Sequence, residues 1–111
     1  MNPRFDVKIL KLANKFLEEI PQEASEKVLY NIDKAKIIND PELFKKLRKD
    51  IWEFRTKHKG VQYRLLAFWD KRNNQETVVV CCSGFLKKRS DVPDSEIEKA
   101  EKIKKLYFNN T

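Results

Sequence analysis

Two arginines and a short run of cations are the residues of this chain best suited to chemistry. Arg55 and Arg64 stand in two alternating segments, WEFRTKH and VQYRLLAFWD, and Lys87, Lys88 and Arg89 follow Gly84-Phe85-Leu86. A guanidinium grips a phosphate with parallel N–H donors, and a lysine adds a compact point charge. Converged on one phosphodiester, these groups would neutralise the charge that builds when a neighbouring 2′-OH attacks phosphorus. Lys57, His58 and Lys59, in the turn between the two segments, would extend a cationic surface along an RNA backbone. The competing reading is structural: Arg55 pairs with Glu53 or an acidic helix residue, and the lysines only blunt the end of a strand. His58 is the only histidine. In a basic turn it is ordinarily a solvated side chain, and it is kept for its place beside the arginines. There is no paired His-Glu spacing, no glycine-rich phosphate loop and no cysteine pair at ligand spacing, so neither a metal nor a cofactor is expected.

A hairpin from Asp50 to Asp70 would position the arginines. Read at period two, with Glu53 opposite Arg64, it sets Arg55 opposite Gln62, Phe54 opposite Tyr63 and Trp52 opposite Leu65. One face then carries Trp52, Phe54, Tyr63 and Leu65, and the other Glu53, Arg55, Gln62 and Arg64. A slip of one residue would mix the faces, which a buried face selects against. The two arginines come out one diagonal apart, roughly 7 to 8 Å between backbone positions. Leu66 and Phe68 continue the arginine face and need a cover, which the last helix can supply.

The rest of the chain reads as support. Arg4 to Lys8 alternates as a short strand. Ile9, Ala13, Phe16 and Ile20 fall on one helical face that Pro21 ends, and Ala24, Val28, Ile32 and Ala35 make a matching stripe on a second helix. Asp40 can cap a short helix with Pro41 at its first position and Leu43, Phe44 and Leu47 as its contacts. Lys71 to Glu76 is a polar turn, and Thr77 to Phe85 a strand apolar on both faces, as an interior strand is. Pro93 precedes Ser95-Glu96-Ile97-Glu98, a capping-box pattern, and Ile97, Ala100, Ile103 or Lys104, and Tyr107 continue one helical face. Asn109 to Thr111 reads as a loose tail. The expected architecture is α+β: an N-terminal helical hairpin on a twisted, mainly antiparallel sheet of about four strands, with a C-terminal helix, in one domain spanning 1–111.

The net charge of +7 points to a polyanionic partner, nucleic acid or an acidic protein. A charged fraction of 37% tempers this, because many lysines are solvated helix faces. Cys81 and Cys82 are strand neighbours facing opposite ways and read as buried free thiols, consistent with a reducing cytoplasm. No run of about 18 apolar residues is available to span a bilayer, and the N-terminus lacks a signal-peptide core; a cytoplasmic location is expected.

The segments DPELFKKL, DIWEFR and QYRLLAFWD, a hydrophobic strand ending GFLKK, and the pattern P-x-x-E-I-x-x-A-x-x-x-K-x-x-Y together resemble the RelE/HigB-like toxins of type II toxin-antitoxin systems, closest to their phage-derived branch. The resemblance spans nearly the whole chain and keeps the order of its elements. It implies a metal-independent, ribosome-dependent mRNA endoribonuclease that inhibits translation, with mRNA, the ribosome and a cognate antitoxin, often of helix-turn-helix type, as partners. Arg55 and Arg64 would stabilise the transition state, and Lys87 and Lys88 match the family's basic pair. Tyr107 falls where some relatives carry a functional aromatic, although its helical phase suits the core. Ser83 stands where relatives often carry a histidine, and Arg89-Ser90-Asp91-Val92-Pro93 departs from their lysine-rich continuation. The alternatives are a ParE-like toxin that inhibits DNA gyrase without cutting RNA, and an inactive relative that retains only antitoxin binding.

Overall fold

The computed structural model describes residues 2–72 and 77–110, so most of the polar turn expected at 71–76 and the last residue of the expected tail lie outside the described residues. The elements in chain order are β1 (Asp6–Ile9), α1 (Lys11–Glu19), α2 (Gln22–Ile37), β2 (Phe44–Lys46), β3 (Trp52–His58), β4 (Val61–Asp70), β5 (Val78–Lys87) and α3 (Asp94–Asn109). The strands form one sheet in the order β1-β5-β4-β3-β2. β1 runs parallel to β5, and the other pairs are antiparallel.

The sheet is covered on both faces. On one, α1 lies against β5 and α2 against β3, burying Ala13, Leu17, Ala24, Val28, Ile32 and Ala35 on Phe54, Tyr63, Leu65 and Cys81. The stripe expected on α2 is the one buried. α1 begins two residues later than its periodicity suggests, because Ile9 is taken by β1 and pairs with Cys81. α1 and α2 follow one another across Ile20-Pro21, yet each packs more extensively on the sheet than on the other. On the opposite face α3 sets Ile97 and Ala100 over Leu66, Phe68, Val80 and Cys82, the cover that the arginine face required. Cys81 and Cys82 are free and buried, one in each of these clusters.

Three local expectations are corrected. The short helix after Asp40 is a single turn followed by a fifth strand. Asp40 Oδ1 accepts the Glu42 N–H at 2.9 Å, and its carbonyl accepts the N–H groups of Leu43 and Phe44. The chain then extends, because Phe44 as strand β2 stacks on Phe54 at 4.3 Å and on Trp52 at 4.8 Å between ring centroids. A tertiary aromatic contact outweighs the local helix preference of Leu-Phe-Lys-Lys-Leu. The capping box is not made: α3 starts one residue before Ser95, with Pro93 at the cap and no side-chain cap bond. Pro93 O receives the N–H of Glu96 and Ile97, and Asp94 and Glu96 place negative charge in the first turn.

The third correction is the hairpin register. His58 pairs with Val61 across Lys59 and Gly60, whose φ values of 48° and 79° make the tight two-residue turn that suits twisted strands. This moves every pair along by two residues, so Arg55 faces Arg64, Phe54 faces Leu65 and Trp52 faces Ala67. A shift of two preserves the faces, and the expected division into an apolar and a charged side holds. Gly84 is fixed by space: a Cβ there would collide with the Phe16 ring and lie 2.9 Å from Leu65 Cδ2.

Candidate functional site

The sheet face under α3 is only half covered. Beyond Leu66 and Phe68, toward the start of β4, lie Arg64 and Gln62, with Glu53, Arg55 and Lys57 beside them on β3. The flanking strands complete the row, since Lys45 of β2 pairs with Glu53, and Phe85 and Lys87 of β5 pair with Arg64 and Gln62. The chain from β5 to α3 crosses next to this strip. Between them is a cleft of about 390 Å³ whose lining includes Lys45, Glu53, Arg55, Lys87 and Asp91. Arg48 closes one rim through an ion pair with Asp94.

A buried triad forms the floor. Arg64 is 3% exposed and Glu53 4%. Glu53 Oε1 lies 3.1 Å from Arg64 Nε, and its other oxygen lies 3.9 Å from Arg55 Nε. Arg64 Nη2 donates to Gln62 Oε1 at 2.7 Å, and Arg55 Nη1 donates to the Pro41 carbonyl at 3.3 Å. Arg55 Nη1 is also 3.9 Å from a carboxylate oxygen of Glu42. Burial pulls the Arg64 pKa down, an effect that Glu53 opposes and Arg55 reinforces. Glu53 Oε1, Arg55 Nε and Arg64 Nε are all buried without a well-directed hydrogen bond, although each has an opposite charge nearby. Two cations and one anion leave the triad at +1; Lys45 and Lys87 add to it, and Glu42 and Asp91 offset them. Lys45, Arg55 and Lys87, which line the cleft together, suit a phosphate.

The residues singled out by sequence separate into three groups. Arg55, Arg64 and Lys87 share the strip, and Lys57 extends it on the same face toward the hairpin tip, exposed to solvent. Lys88 and Arg89 line a neighbouring cleft of about 360 Å³ with Phe85, Leu86, Pro93 and Glu96, so the Lys87-Lys88 pair is split between two clefts. His58 and Lys59 turn toward α2, where Glu23 Oε2 lies 3.6 Å from His58 Nε2 and 3.0 Å from Lys59 Nζ.

Tyr107 belongs to the other end of β4, roughly 20 Å along the strand from Arg64. Its hydroxyl donates to Asp70 Oδ2 at 2.8 Å, and its ring packs edge-on against Phe68. Burial and the Asp70 carboxylate raise the Tyr107 pKa, while hydrogen bonds from Arg72 and Tyr107 hold Asp70 well below the usual carboxylate range. Ser83 is fully buried next to Cys82, whose thiol donates to the Leu66 carbonyl at 3.3 Å and is pushed up to about 11 by burial. Cys81, more deeply desolvated, is raised further.

Sequence reasoning missed two members of the site. Lys45 was hidden because its segment reads as helix. Glu53 was named as an ion-pair partner, but its place between both arginines depends on the two-residue turn that sets the register. The Lys59-Gly60 sequence, with glycine at its second place, was the available signal. Among the described residues, no cluster of three or more His, Cys, Asp or Glu side chains is placed to hold a metal ion, and no helix is long and apolar enough to cross a membrane.

No curated protein matches the chain. Residues 15–105 match a family described as phage-derived protein Gp49-like (DUF891), a span that runs from α1 into α3 and includes every member of the cleft. The chain therefore belongs to the phage-derived Gp49-like family.

Proposed function

We propose that this protein is the toxin of a type II toxin-antitoxin module and that it cleaves mRNA at the ribosome without a metal, as RelE/HigB-like toxins do. The Gp49-like family is toxin-like and associated with toxin-antitoxin systems, which supports the first half of the reading. The second half is supported by one observation: Arg55 and Lys87 line one cleft beyond the cover of α3, with Arg64, itself enclosed, directly opposite Arg55 in the β3–β4 pair.

In this reading the RNA supplies its own nucleophile. The 2′-OH loses its proton to solvent water as it attacks the adjacent phosphorus, the bond to the 5′ oxygen breaks, and a 2′,3′-cyclic phosphate is left. Arg55 and Arg64 would balance the charge that accumulates on the non-bridging oxygens. Lys87, in its ammonium form, would protonate the departing 5′ oxygen. Lys57, Lys88 and Arg89 would hold the backbone on either side by charge alone. The neutralising partner would be a small antitoxin, with the toxin acting in the cytoplasm.

The test is induced expression of the wild type, Arg55→Ala and Arg64→Lys, with growth and message ends read together. Arg55 is the cleaner probe, since a quarter of its side chain is exposed, whereas Arg64 is enclosed. Growth arrest with new 5′ ends at ribosome positions for the wild type, and neither for Arg55→Ala, is expected. Arrest with intact message and damaged DNA would replace this reading with gyrase inhibition, and no arrest at all would leave only antitoxin binding.

A further inference from the structure

The two arginines stand directly opposite one another in the β3–β4 pair, an arrangement that like charges ordinarily disfavour. A buried carboxylate is also disfavoured unless something pairs with it. The fold contains both features at one spot, and each accounts for the other. We propose that Glu53 is a positioning residue for phosphodiester cleavage: its carboxylate holds Arg55 and Arg64 side by side as one phosphate clamp. This inference rests on the nuclease reading of that cleft.

Glu53 divides its oxygens, with Oε1 near Arg64 Nε and Oε2 near Arg55 Nε. An ordinary ion pair would give both oxygens to one guanidinium in a two-pronged contact. Here each arginine instead offers its Nε edge to the carboxylate and secures an Nη nitrogen elsewhere, Arg64 on Gln62 and Arg55 on the Pro41 carbonyl. The two anchors lie on different elements, so Glu53 is the group in direct contact with both guanidinium groups. Its contacts act through charge rather than through aligned hydrogen bonds, since Glu53 Oε1, Arg55 Nε and Arg64 Nε all lack a well-directed partner. The Nε edges are turned to the carboxylate, so a phosphate in the cleft would meet the outer edge of Arg55, the arginine that lines it, with Arg64 enclosed behind and adding its charge. Holding both in place beforehand is how a preorganised site lowers a barrier.

Substitution separates this role from two simpler ones. If Glu53 merely masked positive charge, removing it would strengthen both RNA binding and cleavage. If it served folding alone, binding and cleavage would weaken together with thermal stability. A positioning carboxylate predicts a split: Glu53→Gln binds single-stranded RNA as well as the wild type or slightly better, yet cleaves about a hundredfold more slowly at saturating ribosomes. Glu53→Asp, which keeps the charge on a shorter stem, should recover part of that loss.

The experiment uses the full-length protein. Binding is measured by fluorescence anisotropy with an uncleavable 2′-O-methyl oligoribonucleotide, and turnover on programmed ribosomes. The arginine Nε–H signals are followed by nitrogen-15 NMR. In the wild type, two Nε–H signals assigned to Arg55 and Arg64 should be sharp, slow to exchange, and shifted by the oligonucleotide. In Glu53→Gln both should broaden or exchange with water. Wild-type cleavage by Glu53→Gln, an equal loss of binding and turnover, or unchanged arginine signals would each overturn the proposal. If the wild type cleaves no RNA, the nuclease reading fails by itself, and the proposal of a positioning role in cleavage falls with it; the arginine signals then report whether Glu53 still orders the pair.

Discussion

Replacing Arg64 by alanine should cost far more stability than a surface arginine would, and the reason lies with the residue left behind. Glu53 is 4% exposed, and its closest positive partner is Arg64 Nε at 3.1 Å; Arg55 Nε stands off at 3.9 Å. Removing Arg64 strands a desolvated carboxylate and also frees Gln62 Oε1 from its 2.7 Å bond. Breaking a buried pair in this way costs about 3–5 kcal/mol. In a domain near this size, 1 kcal/mol moves the melting temperature by about 4–8 °C, so a loss of at least about 12 °C is expected. The companion variant removes the pair as a unit: Glu53→Gln with Arg64→Met replaces both charges with groups of similar shape, and such replacements are often neutral or stabilising. Thermal unfolding followed by circular dichroism on the wild type, Glu53→Gln, Arg64→Met and the double variant closes the cycle, with Arg64→Ala measured beside them. The reasoning is refuted if Arg64→Ala melts within about 4 °C of the wild type, because Glu53 would then have access to water or to another cation. It is equally refuted if the double variant is no more stable than Arg64→Ala.

Three further outcomes follow from other parts of the molecule. Gly84→Ala should destabilise by about 1–3 kcal/mol, because the added methyl meets the Phe16 ring of α1 and Leu65, which must shift to admit it; a melting curve matching the wild type would show that they move without cost. Lys87→Ala should reduce turnover on ribosomes more than Lys88→Ala, which lines the neighbouring cleft and should act mainly on RNA affinity and its salt dependence; equal effects on turnover would remove Lys87 from its assigned place. The depressed pKa of Asp70 stabilises the fold at all pH values above the ordinary aspartate range, and this contribution is lost as the pH falls below about 4 toward the lower folded value. Asp70→Asn should therefore flatten the decline in melting temperature between about pH 4 and 2, and an unchanged slope would count against the Asp70-Arg72-Tyr107 cluster.

Much of this fold is legible because its elements repeat at the right period. The α2 stripe of Ala24, Val28, Ile32 and Ala35 is buried as read, and β5 is apolar on both faces because α1 packs on one side and α3 on the other. Where reading from sequence failed, a distant contact decided the outcome. Nothing within Leu-Phe-Lys-Lys-Leu favours a strand over a helix, and it is the stack of Phe44 on Phe54 and Trp52 that selects β2. The parallel pairing of β1 is likewise a matter of which edge is vacant in the folded sheet.

The charged face of the hairpin was legible in its membership but not in its arrangement, and the turn explains the difference. Which face a strand residue occupies depends only on parity, so Glu53, Arg55, Gln62 and Arg64 are grouped correctly by any register that keeps the apolar side together. Which residue lies opposite which depends on where the turn is centred, and two successive left-handed residues at Lys59 and Gly60 centre it one residue beyond the point, between His58 and Lys59, that the expected pairing requires. With Glu53 opposite Arg64, the charged face would contain a cross-strand ion pair and a detached arginine, an arrangement that favours the structural reading. With Arg55 opposite Arg64, it contains two cations that require a shared anion, and Glu53 lies within 4 Å of both. A pair of like charges held in register by a two-residue turn is a poor way to stabilise a sheet. It is a serviceable way to meet a phosphate, because the two guanidinium groups are confined by one carboxylate before the ligand arrives.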